Sequence, residues 1–203
     1  MFTGNPIRLE MLTNNKVKSC QQLGISEDIF TILIMGGSQG STFLNKTASR
    51  AVQIAAGKLN NKVQIIHLTG RSECEIVKGY YNTGTVVAKV FPFLERIDAA
   101  YAASDFVISR SGAAAIFEVA YYAKPMILIP YPNPMNSQRF NAEYFSKKGA
   151  AVYIEEAEVD AQKLASEIFE IVSNRDRINS MAKAAVELAK PNAADLLAEE
   201  VVK

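Results

Sequence analysis

Ile32-Leu33-Ile34-Met35-Gly36-Gly37-Ser38-Gln39-Gly40-Ser41 is the stretch that decides the fold of this chain. A short apolar run ends at a glycine-rich turn, and apolar positions at helical spacing follow at once: Phe43, Leu44, Ala48, Ala51, Val52 and Ala55. That change of period reads as strand, tight turn, helix. Glycines let the turn adopt positive φ and let the backbone approach a ligand closely. The helix behind them leaves its first amide N–H groups unpaired, at the positive end of its dipole. Such a cradle suits an anion, most often a phosphate. Gly37, Ser38, Gln39 and Gly40 are therefore candidate binding positions, the alternative being a turn whose glycines serve only close strand–helix packing. The loop matches neither G-x-G-x-x-G nor the lysine-bearing P-loop.

The same alternation runs through most of the chain. Strands are expected at 31–35, 63–68, 85–90, 105–109, 126–130 and 151–154, with helices near 41–57, 72–79, 96–103, 112–122 and 137–147. Short β-rich runs separated by helices of about ten residues argue for a doubly wound parallel sheet, Rossmann-like and covered on both faces. A helical tail follows at 160–174, 175–189 and 192–202, interrupted at Lys190-Pro191 because proline disfavours helix in the residue before it. Residues 1–30, with the turn Thr3-Gly4-Asn5-Pro6 and a weak helical pattern at 14–28, read as a lead-in to a domain over 31–203. A turn in first position suggests a piece of a longer protein.

Composition narrows the partners. The 203 residues carry a formal net charge of +1, so no broad attraction to nucleic acid is expected. Cys20 and Cys74 lack metal-ligand spacing and are too few for a disulfide framework, which fits a reducing compartment. No apolar run approaches the roughly 18 residues of a membrane span. No Asp-x-Asp pair or His/Cys/carboxylate cluster offers a metal site, and no cofactor is expected.

In doubly wound sheets ligands bind beyond the carboxyl ends of the strands, where the strand order reverses. Small, polar and turn-forming residues gather at those ends. Ser111-Gly112-Ala113-Ala114 opens a second helix with side chains too small to block a ligand, and Glu118 on that helix can accept two hydrogen bonds from a vicinal diol such as a ribose. Phe91 and Phe93 read as core residues, or one of them covers a base. Gln138 and Asn141 share a helix face, suited either to sugar hydroxyls or to capping their own helix. His67, the one histidine, stands without a serine or cysteine nucleophile arrangement and reads as a local hydrogen-bonding residue.

Taken together, Thr3-Gly4-Asn5-Pro6-Ile7-Arg8, Gly36-Gly37-Ser38-Gln39-Gly40 with Leu44-Asn45, His67-x-Thr69-Gly70, Arg110-Ser111-Gly112-Ala113 to Glu118, and Gln138-x-x-Asn141-Ala142 resemble the MurG family of glycosyltransferases in order and spacing. The resemblance runs from residue 3 to 202 and covers the C-terminal, donor-binding half of that two-domain GT-B architecture. It implies a UDP-N-acetylglucosamine donor and transfer of N-acetylglucosamine to the lipid-linked muramyl pentapeptide of peptidoglycan synthesis. It also implies an N-terminal acceptor domain, in the same chain or a separate subunit, through which any membrane contact is made. The expected location is the cytoplasm, at the cytoplasmic face of the membrane for the whole enzyme. By the same resemblance Arg8 and Ser38 contact the diphosphate, the Leu94 backbone reads the uracil and Phe93 lies against its ring. Ala113 and Ala114 supply amides near phosphate and sugar, Glu118 holds the ribose and Gln138 the glucosamine. Family members usually carry a Thr near Ala115 and Asp-His where this chain has Asn136-Ser137, positions that bear on the sugar. The family's proposed general-base histidine belongs to the other half, so the isolated domain is expected to bind donor without turnover.

Overall fold

The computed structural model describes residues 4–7, 15–60, 62–133, 135 and 137–202. Its centre is β1 (Phe30–Met35), in which Thr31 to Met35 are all buried. β1 pairs in parallel with β2 (Val63–Leu68) on one side and with β4 (Phe106–Ser109) on the other. β3 (Val87–Phe91) lies outside β2, and β5 (Met126–Leu128) and β6 (Ala151–Tyr153) extend the sheet beyond β4. The strand order among the described residues is β3-β2-β1-β4-β5-β6, so it reverses between β1 and β4.

Period-two alternation sends neighbouring side chains of β1 to opposite faces. Ile32 and Ile34 pack in one core with the buried faces of α2 (Thr42–Lys58), α3 (Cys74–Tyr81) and α7 (Ala161–Val172). Leu33 and Met35 pack in the other with α1 (Lys16–Leu23), α4 (Ile97–Ala103), α5 (Ala113–Tyr121), α6 (Gln138–Lys147) and α8 (Arg175–Leu188). Each fully buried aliphatic side chain contributes about 1.5–3 kcal/mol, and both faces of the sheet are sealed by such residues. α2 owes its tight seat on the sheet to small residues, since Ala48, Ala51, Ala55 and Ala56 are all fully buried.

Every expected strand and helix is present, with ends displaced by at most two residues. The weak helical pattern at 14–28 resolves into α1, capped by the Asn15 side chain and closed by Gly24 at φ 66°. The break expected at Lys190-Pro191 falls between α8 and α9 (Ala193–Val202). Among the described residues no helix is long and apolar enough to cross a membrane. For function the consequential pairing is Met35 opposite Ser109. It makes the loops after β1 and β4 leave the sheet side by side, and the Arg110 amide donates to the Met35 carbonyl at 3.4 Å.

Candidate functional site

A crevice of about 440 Å³ opens where those two loops part. Met35 and Leu68, the last residues of β1 and β2, are among its lining. Gly37 and Ser38 contribute one wall, Phe93 and Leu94 another, and Ala114 and Glu118 of α5 a third. Six of the residues expected at a ligand site therefore meet in one cavity.

The glycine loop divides by role. A Cβ on Gly40 would sit 2.0 Å from the Thr69 carbonyl oxygen, and one on Gly70 would sit 2.5 Å from that of Gln39, so these two turns are packed backbone to backbone. Gly37, at φ 89°, has open space where its side chain would be. Gly37 and Ser38 thus border the crevice, whereas Gln39 and Gly40 hold the loop against the β2–α3 turn. Ser41 caps α2 by accepting from the Leu44 amide at 3.3 Å. α5 begins after Gly112, which gives it no side-chain cap, and neither α2 nor α5 carries an acidic residue in its first turn. Ala113 and Ala114 are exposed at that helix start. An anion in the crevice would meet the positive start of α5, while the start of α2 borders the cavity behind the loop.

Glu118 is only 8% exposed, yet it borders the crevice. The fully buried Tyr101 of α4 donates its hydroxyl to Glu118 Oε2 at 3.0 Å. No motif marks Tyr101 in the sequence, although Leu94, Ile97 and Tyr101 recur at spacings of three and four and all line the cavity.

Behind the loop lies a second cavity, of about 410 Å³, bordered by Gly36, Gly40, Ser41, Arg110, Gln138 and Glu156 among others. Arg110 is 6% exposed. Its Nη1 donates to the carbonyls of Ile129 and Pro130, each at 3.1 Å, and its Nη2 donates to Ser41 Oγ at 2.7 Å. It also pairs with Glu156 at 2.5 Å and lies 5.9 Å from the Phe43 ring centroid and 5.6 Å from that of Tyr131. One guanidinium therefore binds the start of α2 to the end of β5 and to the 3-10 turn Glu156–Glu158. In the sequence it stands only as a charged residue directly after an apolar strand, with nothing to mark these partners. Gln138 borders this second cavity, accepting from the Tyr131 amide at 3.0 Å through Oε1 and from Ser111 Oγ at 2.7 Å through its carbonyl. Asn141 donates to the Ser111 carbonyl at 2.9 Å. Ser111 and Asn141 lace α6 to the β4–α5 loop. Arg8 and Asn136 lie outside the described residues.

His67 is buried and sits away from the crevice. Its Nδ1 is 2.9 Å from Tyr81 Oη and its Nε2 is 3.1 Å from Asn45 Oδ1. Asn45 directs its amide hydrogens to the Thr69 carbonyl (2.9 Å) and to Glu73 (2.6 Å), so its oxygen accepts and His67 Nε2 carries the proton. Burial pushes the imidazole pKa from 6.5 down to about 3, so it is neutral near pH 7. The local hydrogen-bonding role read from the sequence is the one observed. Among the described residues no group of His, Cys, Asp and Glu could hold a metal ion.

Residues 31–197 match the C-terminal domain of glycosyltransferase family 28. The chain belongs to that family. It is 36% identical over 203 residues to the UDP-N-acetylglucosamine–N-acetylmuramyl-(pentapeptide) pyrophosphoryl-undecaprenol N-acetylglucosamine transferase of Halothermothrix orenii, covering 97% of this chain and 54% of that protein. The protein of the same name from Thermodesulfovibrio yellowstonii is 35% identical, with 98% and 54% covered. The chain thus spans about half the length of the curated relatives it matches. Among solved structures, Acinetobacter baumannii MurG superimposes on this family 28 domain with a TM-score of 0.78 at 24% identity, over 95% of this chain and 54% of that one. A Staphylococcus aureus MnaA–UDP complex shares the fold with a TM-score of 0.64 at 10% identity, over 92% and 48% of the two chains. The fold is that of the C-terminal half of a GT-B glycosyltransferase, as the sequence motifs imply.

Proposed function

We propose that this family 28 domain binds UDP-N-acetylglucosamine and forms the donor half of a transferase that delivers N-acetylglucosamine to N-acetylmuramyl-(pentapeptide) pyrophosphoryl-undecaprenol, at the cytoplasmic face of the membrane. The observation that carries this reading is the crevice in which Gly37, Ser38, the start of α5, Phe93, Leu94 and Glu118 converge at the point of strand-order reversal. The half-exposed Phe93 ring and the Leu94 backbone take the base, and Glu118 accepts from the ribose diol. The diphosphate lies against Gly37, Ser38 and the first amides of α5, with Arg8 as a further contact, and Gln138 reaches the sugar. In the whole enzyme the acceptor hydroxyl attacks the anomeric carbon and the bond to UDP breaks with inversion. The amides at the start of α5 and in the glycine loop then stabilise the charge that develops on the departing diphosphate. His67 is enclosed by Asn45 and Tyr81 and does not serve as base for the acceptor hydroxyl, a role that the reading assigns to the N-terminal acceptor half.

Titration calorimetry with UDP-N-acetylglucosamine, UDP-glucose and UDP tests the proposal. Expected are saturable binding of UDP-N-acetylglucosamine in preference to UDP-glucose, and a loss of about tenfold or more in Glu118→Ala, which removes two charge-assisted hydrogen bonds. Preference for UDP-glucose would point to a different transferase. Absence of binding to all three would leave a scaffold module.

A further inference from the structure

We infer that Tyr101 is a positioning residue for nucleotide recognition, holding the Glu118 carboxylate in the rotamer that accepts from the ribose diol. The inference rests on the donor-site reading above and adds to it a residue that never needs to touch the ligand's reacting atoms. Tyr101 is fully buried, and its hydroxyl donates to Glu118 Oε2 across 3.0 Å between two different helices, α4 and α5. A glutamate has three side-chain torsions, and aligning its carboxylate with two vicinal hydroxyls requires all three to be fixed. Freezing them at the moment of binding costs affinity; freezing them beforehand does not. A buried tyrosine is suited to this, because its ring is immobilised by packing and only its hydroxyl is polar. Here the ring lies 5.6 Å from that of Tyr122 and within the core that α4 shares with α5.

The placement on α4 adds a second consequence. Leu94, Ile97 and Tyr101 all line the crevice, and Leu94 directly follows the half-exposed Phe93. The segment that presents Phe93 and Leu94 to the base is thus continuous with the helix that fixes the acid for the ribose. Base and sugar subsites are held at a set separation by one short, fully packed helix, whose residues Asp98 to Ala103 are all buried.

The test is a cycle between the protein and its ligand, read by calorimetry on the whole chain with UDP and 2′,3′-dideoxy-UDP. Wild type is expected to prefer UDP over 2′,3′-dideoxy-UDP, which lacks the diol, by about tenfold or more, the usual weight of charge-assisted hydrogen bonds. Tyr101→Phe removes one oxygen and keeps the ring. It should weaken UDP binding by about three- to tenfold while changing the 2′,3′-dideoxy-UDP affinity by less than about twofold, so that the preference shrinks by that factor. Its thermal midpoint, followed in parallel, should lie within a few degrees of wild type. Equal losses on both ligands would overturn the inference by making Tyr101 a general structural residue, and so would wild-type affinity for both. If wild type itself fails to bind UDP, the donor-site reading falls with it; if only the variant behaves as wild type, that reading stands and this one does not.

Discussion

A methyl group on Gly40 would lie 2.0 Å from the Thr69 carbonyl oxygen, whereas one on Gly37 would meet nothing within 4 Å. Two glycines of one loop are therefore required for different reasons, and substitution separates them. Gly40→Ala forces two backbone turns apart at a residue with φ 78° and should destabilise the chain by more than about 2 kcal/mol. Gly37→Ala meets only the left-handed strain of about 1–2 kcal/mol, but it adds a methyl to a residue that lines the crevice and should weaken UDP binding by about tenfold. Thermal denaturation and calorimetry on the two variants check this. Unchanged UDP affinity in Gly37→Ala would remove the loop from the diphosphate site. The sequence could nominate the loop but not make this division, because which glycine faces a neighbour depends on the Thr69-Gly70 turn about thirty residues later. Glu118 was legible for the opposite reason: its place on the helix behind Ser111-Gly112 is set locally. Tyr101 was not, since a tyrosine among Ala99, Ala100, Ala102 and Ala103 reads only as core until the partner helix brings Glu118 to its hydroxyl.

At the level of elements, His67 on β2 links α2 through Asn45 and α3 through Tyr81, and Asn45 carries the link on to Thr69 and Glu73. This network fixes the turn that Gly40 packs against, so it supports the rim of the crevice from behind. Its pH dependence has a definite sign. The folded pKa of about 3 lies below the ordinary 6.5, so between those values the unfolded chain binds more protons than the folded one. Stability is complete above about pH 6.5 and declines as the pH falls, with a slope of up to about 1.4 kcal/mol per unit. His67→Gln should flatten that acid limb between about pH 6 and pH 4 in urea denaturation, whatever it does to stability near pH 7. Equal slopes in wild type and variant would show that other groups govern the acid limb. The elements themselves were readable because each one agrees with its own period: apolar runs that end at glycine, proline or polar turns, and helices whose apolar positions recur at three and four. What the pattern did not contain was the role of Arg110. Its partners lie on α2, the end of β5 and the Glu156–Glu158 turn, segments far apart in the chain that only the parallel topology collects at one rim.

For the whole molecule the decisive quantity is the charge that must move. Transfer needs a base for the acceptor hydroxyl and stabilisation for the departing UDP, and the two requirements fall on different parts of the proposed enzyme. In the proposed reading the crevice serves the second, with Gly37, Ser38 and the small residues at the start of α5 along its wall. For the first, the sequence has one histidine, His67, and it is buried in the network behind the rim. The chain spans 54% of the Halothermothrix orenii relative, which leaves the other part of that protein as a source of the complementary function. We expect the chain alone to bind UDP-N-acetylglucosamine and to form no detectable product with N-acetylmuramyl-(pentapeptide) pyrophosphoryl-undecaprenol over hours. Coexpression with the remaining, N-terminal part of the relative should restore transfer of radiolabelled N-acetylglucosamine to the lipid, and Glu118→Ala in this chain should lower the restored activity by about tenfold or more at donor concentrations below saturation. Product formation by the chain alone would mean that a group within these 203 residues takes the proton, and the division of labour would be wrong. Donor binding without rescue would confine the error to the match between halves, because the crevice reports on the nucleotide whether or not a partner is present.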